Sequence, residues 1–189
     1  MPPVFPNTIN GKDRFGLKAS LIQVTSLDQE NIFGQVSHEL EVHVPASEAW
    51  GLYSTLRLSK LVEKELPGMY DKIELLEGDG GVGTLFKLTF PPGTPEITYY
   101  KDRFTKIDRE NRIKEAEVCE GGNLNVGFSA YRFRFEIIEK EENSCIIKST
   151  VEYELKEEYA ANVSFVSIEP LAKIAETAKQ HLLNIKAKD

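Results

Sequence analysis

GDGGVGTLFKLTF, residues 78–90, joins a glycine-rich run to an alternating apolar pattern. The glycines match the GxGxxG spacing of a dinucleotide-binding loop, which requires a helix directly afterwards so that its N-terminus can hold the pyrophosphate. The alternation in residues 84–90 predicts a strand there instead. We therefore interpret residues 78–83 as a tight turn between two strands, and this excludes Rossmann-type dinucleotide binding. A P-loop is excluded because no Lys-Ser/Thr pair follows the glycines.

On both sides of this turn the sequence predicts short strands and short helices. Residues 36–44 alternate with period two and predict a first strand, which ends at Pro45. Two short helices are predicted next, at residues 46–59 and 60–66. Turn-forming residues then separate six further predicted strands. These strands cover residues 70–77, 84–90, 97–107, 112–119, 124–139 and 145–155. Sequential strands with short turns indicate an antiparallel sheet.

The last thirty residues change to helical spacing. Leu171, Ile174, Ala178 and Leu182 recur on one helix face, and Pro170 is expected at the helix start. We predict an α+β fold in which a curved, seven-stranded antiparallel sheet wraps around this long C-terminal helix. Two short helices follow the first strand.

Composition limits the classes of function. The chain has 189 residues and a formal net charge of −7, which opposes nucleic-acid and anionic-membrane binding. The sequence shows no apolar run of membrane-spanning length and no metal-binding motif, so we expect no membrane insertion and no metal. Residues 1–34 lack a secretory signal and are predicted to form a flexible extension before a domain at 35–189. A cytoplasmic location is expected, with the vacuole or endoplasmic reticulum as alternatives.

Several stretches resemble one plant enzyme family. The glycine turn, the early strand and the long terminal helix are similar to the birch-pollen-allergen superfamily, the pathogenesis-related proteins of class 10. This resemblance implies a helix-grip fold, in which the sheet and the long helix enclose a hydrophobic cavity. Within it, four stretches resemble the norcoclaurine synthases of alkaloid-producing plants. They are LLEGDGGVGTLFKLTFPPGTPEITYYKDRF (75–104), RIKEAEVCEGGNLNVGF (112–128), NSCIIKSTVEYELKEEYA (143–160) and EPLAKIAE (169–176). The similarity covers approximately residues 36–186.

The resemblance implies a carbon–carbon bond-forming lyase of benzylisoquinoline alkaloid biosynthesis. Its reaction is the Pictet–Spengler condensation of dopamine with 4-hydroxyphenylacetaldehyde, which gives (S)-norcoclaurine and water without a cofactor. The family's site Tyr and Lys fall on Tyr100 and Lys114. Its Glu falls on Asp102, which is one methylene shorter, and its Asp falls on Phe133. The implied catalytic residues are therefore Lys114 as general acid, Asp102 as base and Tyr100 as the residue that orients the catechol.

Strand alternation supports the same site. Tyr100, Asp102 and Phe104 share one face of a predicted strand, and Lys114 shares its face with Ala116 and Val118. A same-face register would set Lys114 opposite Phe104 and Asp102 opposite Ala116, which makes the two charged residues diagonal neighbours. The residues predicted to bind substrate are Phe133, Tyr131, Leu88, Phe90 and Phe104.

A binding protein is the competing interpretation. The same cavity would then carry an alkaloid, a phenolic or a plant hormone without turning it over, and Phe133 favours this because it removes a carboxylate. A ribonuclease-like function is not supported, since the chain is acidic and has no pair of catalytic histidines. We expect a monomer or a homodimer.

Overall fold

The computed structural model describes residues 18–20, 31–94 and 96–187, and its main feature is one antiparallel sheet. Its strands lie in the spatial order β1-β2-β8-β7-β6-β5-β4-β3, so β1 and β3 are the two edges. The strands are β1 (Lys18–Ser20), β2 (Asn31–Val42), β3 (Lys72–Glu77), β4 (Leu85–Thr89), β5 (Tyr99–Asp108), β6 (Ile113–Gly121), β7 (Phe128–Glu141) and β8 (Ser144–Lys156). β2 pairs with β8 along its whole length, from Asn31 opposite Lys156 to Val42 opposite Cys145.

Three α-helices and two 3-10 helices complete the described fold. The helices are α1 (Ala46–Tyr53), α2 (Arg57–Glu65) and α3 (Glu169–Lys186), and the 3-10 segments are Gly122–Val126 and Glu157–Phe165. Pro170 lies in the first turn of α3, where its missing N–H has no intrahelical partner to lose. The predicted helix-grip fold is confirmed: seven strands, β2–β8, a long terminal helix and two short helices after the first strand.

The sheet extends further toward the N-terminus than the alternating pattern indicated. β2 begins at Asn31, and β1 adds a short eighth strand antiparallel to it. Residues 18–20 and 31–34 of the predicted 1–34 extension are therefore part of the sheet. The remainder of that extension, residues 1–17 and 21–30, lies outside the described residues.

The predicted strand at 124–139 is wrong at its beginning. Gly122–Val126 form a 3-10 helix, and β7 starts only at Phe128. Three glycines with positive φ bracket this segment: Gly121 (70°), Gly122 (56°) and Gly127 (97°). Because the left-handed region interrupts an extended backbone, alternation could not continue across these residues.

The glycine-rich segment forms a turn between β3 and β4, as predicted. The Gly80 amide donates to the Thr84 hydroxyl at 2.9 Å inside the turn. The Gly83 amide donates to the Phe104 carbonyl at 2.8 Å and so fixes the turn to β5. The turn therefore holds the strand that carries Tyr100 and Asp102, and no phosphate-binding helix follows it.

The two faces of the sheet differ in chemistry. On one face, α3 packs against β2, β8 and the two short helices, burying residues such as Leu171 and Ile174. On the other face, Arg132 forms ion pairs of 3.2 Å with both Glu117 and Glu152 on the neighbouring strands. Among the described residues, no helix is both long and apolar enough to cross a membrane.

Candidate functional site

A cavity with two adjoining chambers lies between the apolar face of the sheet and helices α2 and α3. The smaller chamber, which we call the inner chamber, has a volume of about 100 Å³, and the larger, which we call the outer chamber, has a volume of about 740 Å³. Asp102 and Lys114 line only the inner chamber. Four residues line both chambers and therefore form the boundary between them: Tyr70, Tyr100, Phe133 and Leu171.

Asp102 is a buried carboxylate on β5 with an unsatisfied oxygen. Its side chain is 9% exposed, and its Oδ1 atom has no hydrogen-bond partner among the described residues. Burial raises the pKa of Asp102 to about 7, and the positive charge of Lys114 opposes this shift. A carboxyl group with this pKa exchanges a proton readily near neutral pH.

Lys114 is a buried ammonium on β6, only 3% exposed. Its Nζ atom donates to the backbone carbonyl of Tyr53 at 3.1 Å and lies 3.7 Å from the centroid of the Phe104 ring. Burial lowers the pKa of Lys114 to about 8, while the charge of Asp102 opposes the change. The carbonyl and the ring face stabilise the cation, yet it remains a better acid than a solvated lysine.

The predicted pairing register between these strands is wrong. Asp102 lies opposite Val118, and Lys114 lies opposite Ile107, because the register shifts between Lys101 and Asp102 and again between Phe104 and Lys106. Such bulges add an unpaired residue and cannot be read from alternation alone. Asp102 and Lys114 still share one chamber and interact through their charges, but none of the ion pairs found among the described residues joins them.

Tyr100 lies at the boundary between the chambers, with its side chain 8% exposed. Its hydroxyl is 3.0 Å from that of Tyr70, and either can be the donor. Burial raises the pKa of Tyr100 well above its ordinary value, so its hydroxyl stays protonated at neutral pH. Tyr100 is thus able to hold a polar substituent of a ligand without becoming charged.

All five residues predicted to bind substrate line the cavity. Leu88 and Phe104 line the inner chamber, Phe90 and Tyr131 line the outer chamber, and Phe133 lines both. The Phe133 ring centroid lies 5.9 Å from that of Tyr100 and 5.6 Å from that of Tyr131. Phe133 therefore occupies its position as an aromatic packing residue and brings no charge to Lys114.

Tyr70 was not identified from the sequence. The predicted strand at 70–77 begins too early, because β3 starts only at Lys72. Tyr70 therefore lies between the Pro67-Gly68 turn and β3, where strand alternation does not set the direction of its side chain. Leu171 and Ile174 also line the inner chamber, and helical spacing predicted them only as core residues. The part of the chain that the structure describes contains no group of three or more His, Cys, Asp or Glu residues able to hold a metal ion.

The site as a whole places one weak acid and one weak base in a mostly apolar chamber that adjoins a larger one. This fold and cavity define a helix-grip protein with a largely apolar internal cavity. The chain belongs to the pathogenesis-related protein Bet v 1 family, whose model matches residues 33–185. The resemblance stated from the sequence is therefore confirmed.

Two of the relatives in the family are named as synthases. The chain is 53% identical over 154 residues to norbelladine synthase of Narcissus pseudonarcissus, which covers 82% of this chain and 94% of the relative. It is 35% identical over 185 residues to S-norcoclaurine synthase 2 of Papaver somniferum, and the match covers 97% of this chain and 78% of the relative. The structure of Thalictrum flavum norcoclaurine synthase in complex with dopamine and hydroxybenzaldehyde superposes with a TM-score of 0.76 at 33% identity, covering 88% of this chain and 97% of the other.

Proposed function

We propose that the protein is a synthase that condenses an aromatic amine with an aromatic aldehyde inside this cavity. The observation that carries the proposal is that Asp102 and Lys114 share the inner chamber with pKa values displaced toward neutrality from opposite sides. Structural ion pairs are usually satisfied by direct contact, whereas here Asp102 keeps an oxygen without a partner. The names of the relatives support an enzymatic reaction of this class.

The first half of the reaction requires an acid. The amine adds to the aldehyde carbon, and the resulting carbinolamine loses its hydroxyl as water when that oxygen receives a proton. Lys114 supplies this proton, and the nitrogen lone pair forms the carbon–nitrogen double bond of an iminium. Because Lys114 has a lowered pKa, it donates more readily than an ordinary lysine.

The second half requires a base. The electron-rich catechol ring attacks the iminium carbon, forming a carbon–carbon bond, and the ring must then lose a proton to become aromatic again. Asp102 accepts that proton, and Tyr100 orients the ring. The enclosed cavity holds the reactants together and allows attack from one side, which sets the configuration of the product.

A chiral product assay tests this proposal directly. The purified protein is mixed with dopamine and 4-hydroxyphenylacetaldehyde beside a no-protein control, and reference (S)-norcoclaurine is run alongside. An excess of (S)-norcoclaurine that Lys114→Ala abolishes supports the norcoclaurine reaction. Racemic product at the control rate contradicts it.

A non-catalytic carrier is the second candidate, and Phe133 is the observation that favours it. With a ring at this position, Asp102 is the only carboxylate that lines the inner chamber among the described residues. A carrier binds a benzylisoquinoline equally well with and without the Lys114 ammonium. Titration of a benzylisoquinoline into the wild type and Lys114→Ala, together with the absence of turnover, would support this candidate.

A further inference from the structure

Tyr70, whose hydroxyl contacts that of Tyr100, has no role in the chemistry proposed above. The two oxygens are 3.0 Å apart, and both side chains line the inner and the outer chamber. Their rings meet nearly edge to face, with centroids 6.3 Å apart at 71°. The pair therefore lies where the two chambers adjoin, so a ligand that spans both chambers would reach it.

The neighbouring rings hold both hydroxyls in place. The ring of Phe90 lies 5.6 Å from that of Tyr70 and 5.8 Å from that of Tyr100, while Phe133 packs against Tyr100 from the other side. Aromatic contacts of this kind restrict ring rotation in a close-packed interior. The two oxygens thus form a preorganised polar site within the otherwise apolar boundary between the two chambers.

Counting donors and acceptors shows what this site can bind. Two tyrosine hydroxyls carry two protons and four lone pairs. Their mutual hydrogen bond uses one proton and one lone pair, and neither hydroxyl has another hydrogen-bond partner among the described residues. Burial raises the pKa of Tyr70 to about 12, so its proton is retained at neutral pH. One donor and three acceptor positions therefore remain for a ligand.

We propose that the Tyr70–Tyr100 pair binds a free phenol on the ring of the amine substrate, and that Tyr70 makes this site selective for a free phenol over its methyl ether. A phenol both accepts and donates, so it closes a ring of three hydroxyls. A methyl ether only accepts, and an unsubstituted ring does neither. This inference rests on the proposed function in one respect, namely that the ligand is an aromatic amine.

The test compares three amines by equilibrium titration without any aldehyde: tyramine, 4-methoxyphenethylamine and phenethylamine. The wild type is expected to bind tyramine roughly 3–10-fold more tightly than the methyl ether, which is the effect of one net hydrogen bond. In Tyr70→Phe most of this preference is lost, whereas phenethylamine binds as in the wild type. Tyr99→Phe is the matched control, because the Tyr99 hydroxyl bonds to Glu120 at 3.0 Å and is absent from both chambers.

Two outcomes would overturn the inference. One is the same preference for tyramine in the wild type and in Tyr70→Phe. The other is an equal loss of affinity for all three amines in Tyr70→Phe, which indicates general damage to the cavity. Condensation is measured in a separate assay. A preference for tyramine without product formation would contradict the proposed function but support the phenol-binding role of Tyr70. Product formation without this preference would contradict only the phenol-binding role.

Discussion

The Nζ atom of Lys114 donates to the backbone carbonyl of Tyr53 at 3.1 Å, which joins the middle of the sheet to the last turn of α1. The final carbonyls of a helix lack intrahelical partners and carry partial negative charge. The Tyr53 carbonyl therefore favours the ammonium form and fixes its position even when Asp102 is protonated. Lys114 thus interacts with the Tyr53 carbonyl as well as with Asp102. Its substitution is therefore expected to affect both stability and activity.

Replacing Lys114 with alanine is expected to lower the rate of product formation by at least about 100-fold, since a positioned acid is lost. The same change leaves the Tyr53 carbonyl unsatisfied, at a cost of roughly 1–3 kcal/mol in the free energy of unfolding. Product assays and denaturant titration measure the two effects. Lys101→Ala, which removes an ammonium paired with Glu120 on the opposite face of the sheet, is the control and should keep full activity. Unchanged activity in Lys114→Ala would contradict the acid role.

Replacing Asp102 with asparagine keeps the shape of the side chain and removes the base. We expect the rate to fall by about 10²–10⁴-fold. The free energy of unfolding, in contrast, should increase at pH values above 7. Because the folded-state pKa is raised to about 7 from 3.8, the ionised form destabilises the fold, fully above pH 7 and not at all below the ordinary pKa. Asp102→Asn should therefore be more stable than the wild type at pH 8 and similar to it at pH 3.5, as measured by thermal unfolding.

The rate should depend on pH as a narrow bell. Catalysis requires Asp102 ionised, above about pH 7, and Lys114 protonated, below about pH 8. The two limits belong to the coupled pair rather than to either residue alone. The rate is best expressed as a ratio to the no-protein reaction at each pH, so that ionisation of the substrates cancels. Asp102→Asn should remove the fall in rate on the acidic side of this profile. If that fall is unchanged in the variant, a group other than Asp102 causes it.

Phe133 is expected to maintain the boundary between the chambers. Phe133→Ala should join them into one space and cost roughly 2 kcal/mol, less than a fully buried phenylalanine because this side chain is only partly buried. Phe133→Leu keeps an apolar side chain of similar bulk and serves as the control. If the boundary limits substrate size, Phe133→Ala accepts bulkier aldehydes than Phe133→Leu does, which competition assays with a series of aldehydes can measure.

Alternation along the strands was sufficient to predict the inward faces of β5, β6 and β7, because a strand buried on one face must repeat every two residues. It could not predict the bulges that set Lys114 opposite Ile107, since a bulge leaves the composition of a strand unchanged. Nor could it predict Tyr70 as a partner of Tyr100. That contact joins residues thirty positions apart, and one of them lies outside any periodic element.

The pairing of β2 with β8 also has a consequence for how the chain is made. β2 is complete at Val42, whereas its partner strand begins at Ser144, about a hundred residues later. At ribosomal speeds of about 5–20 residues per second, β2 remains without its partner strand for roughly 5–20 s. During that interval its long edge is open to other nascent chains. Synthesis speed and chaperone supply, rather than the finished fold alone, are then expected to govern the yield of active protein.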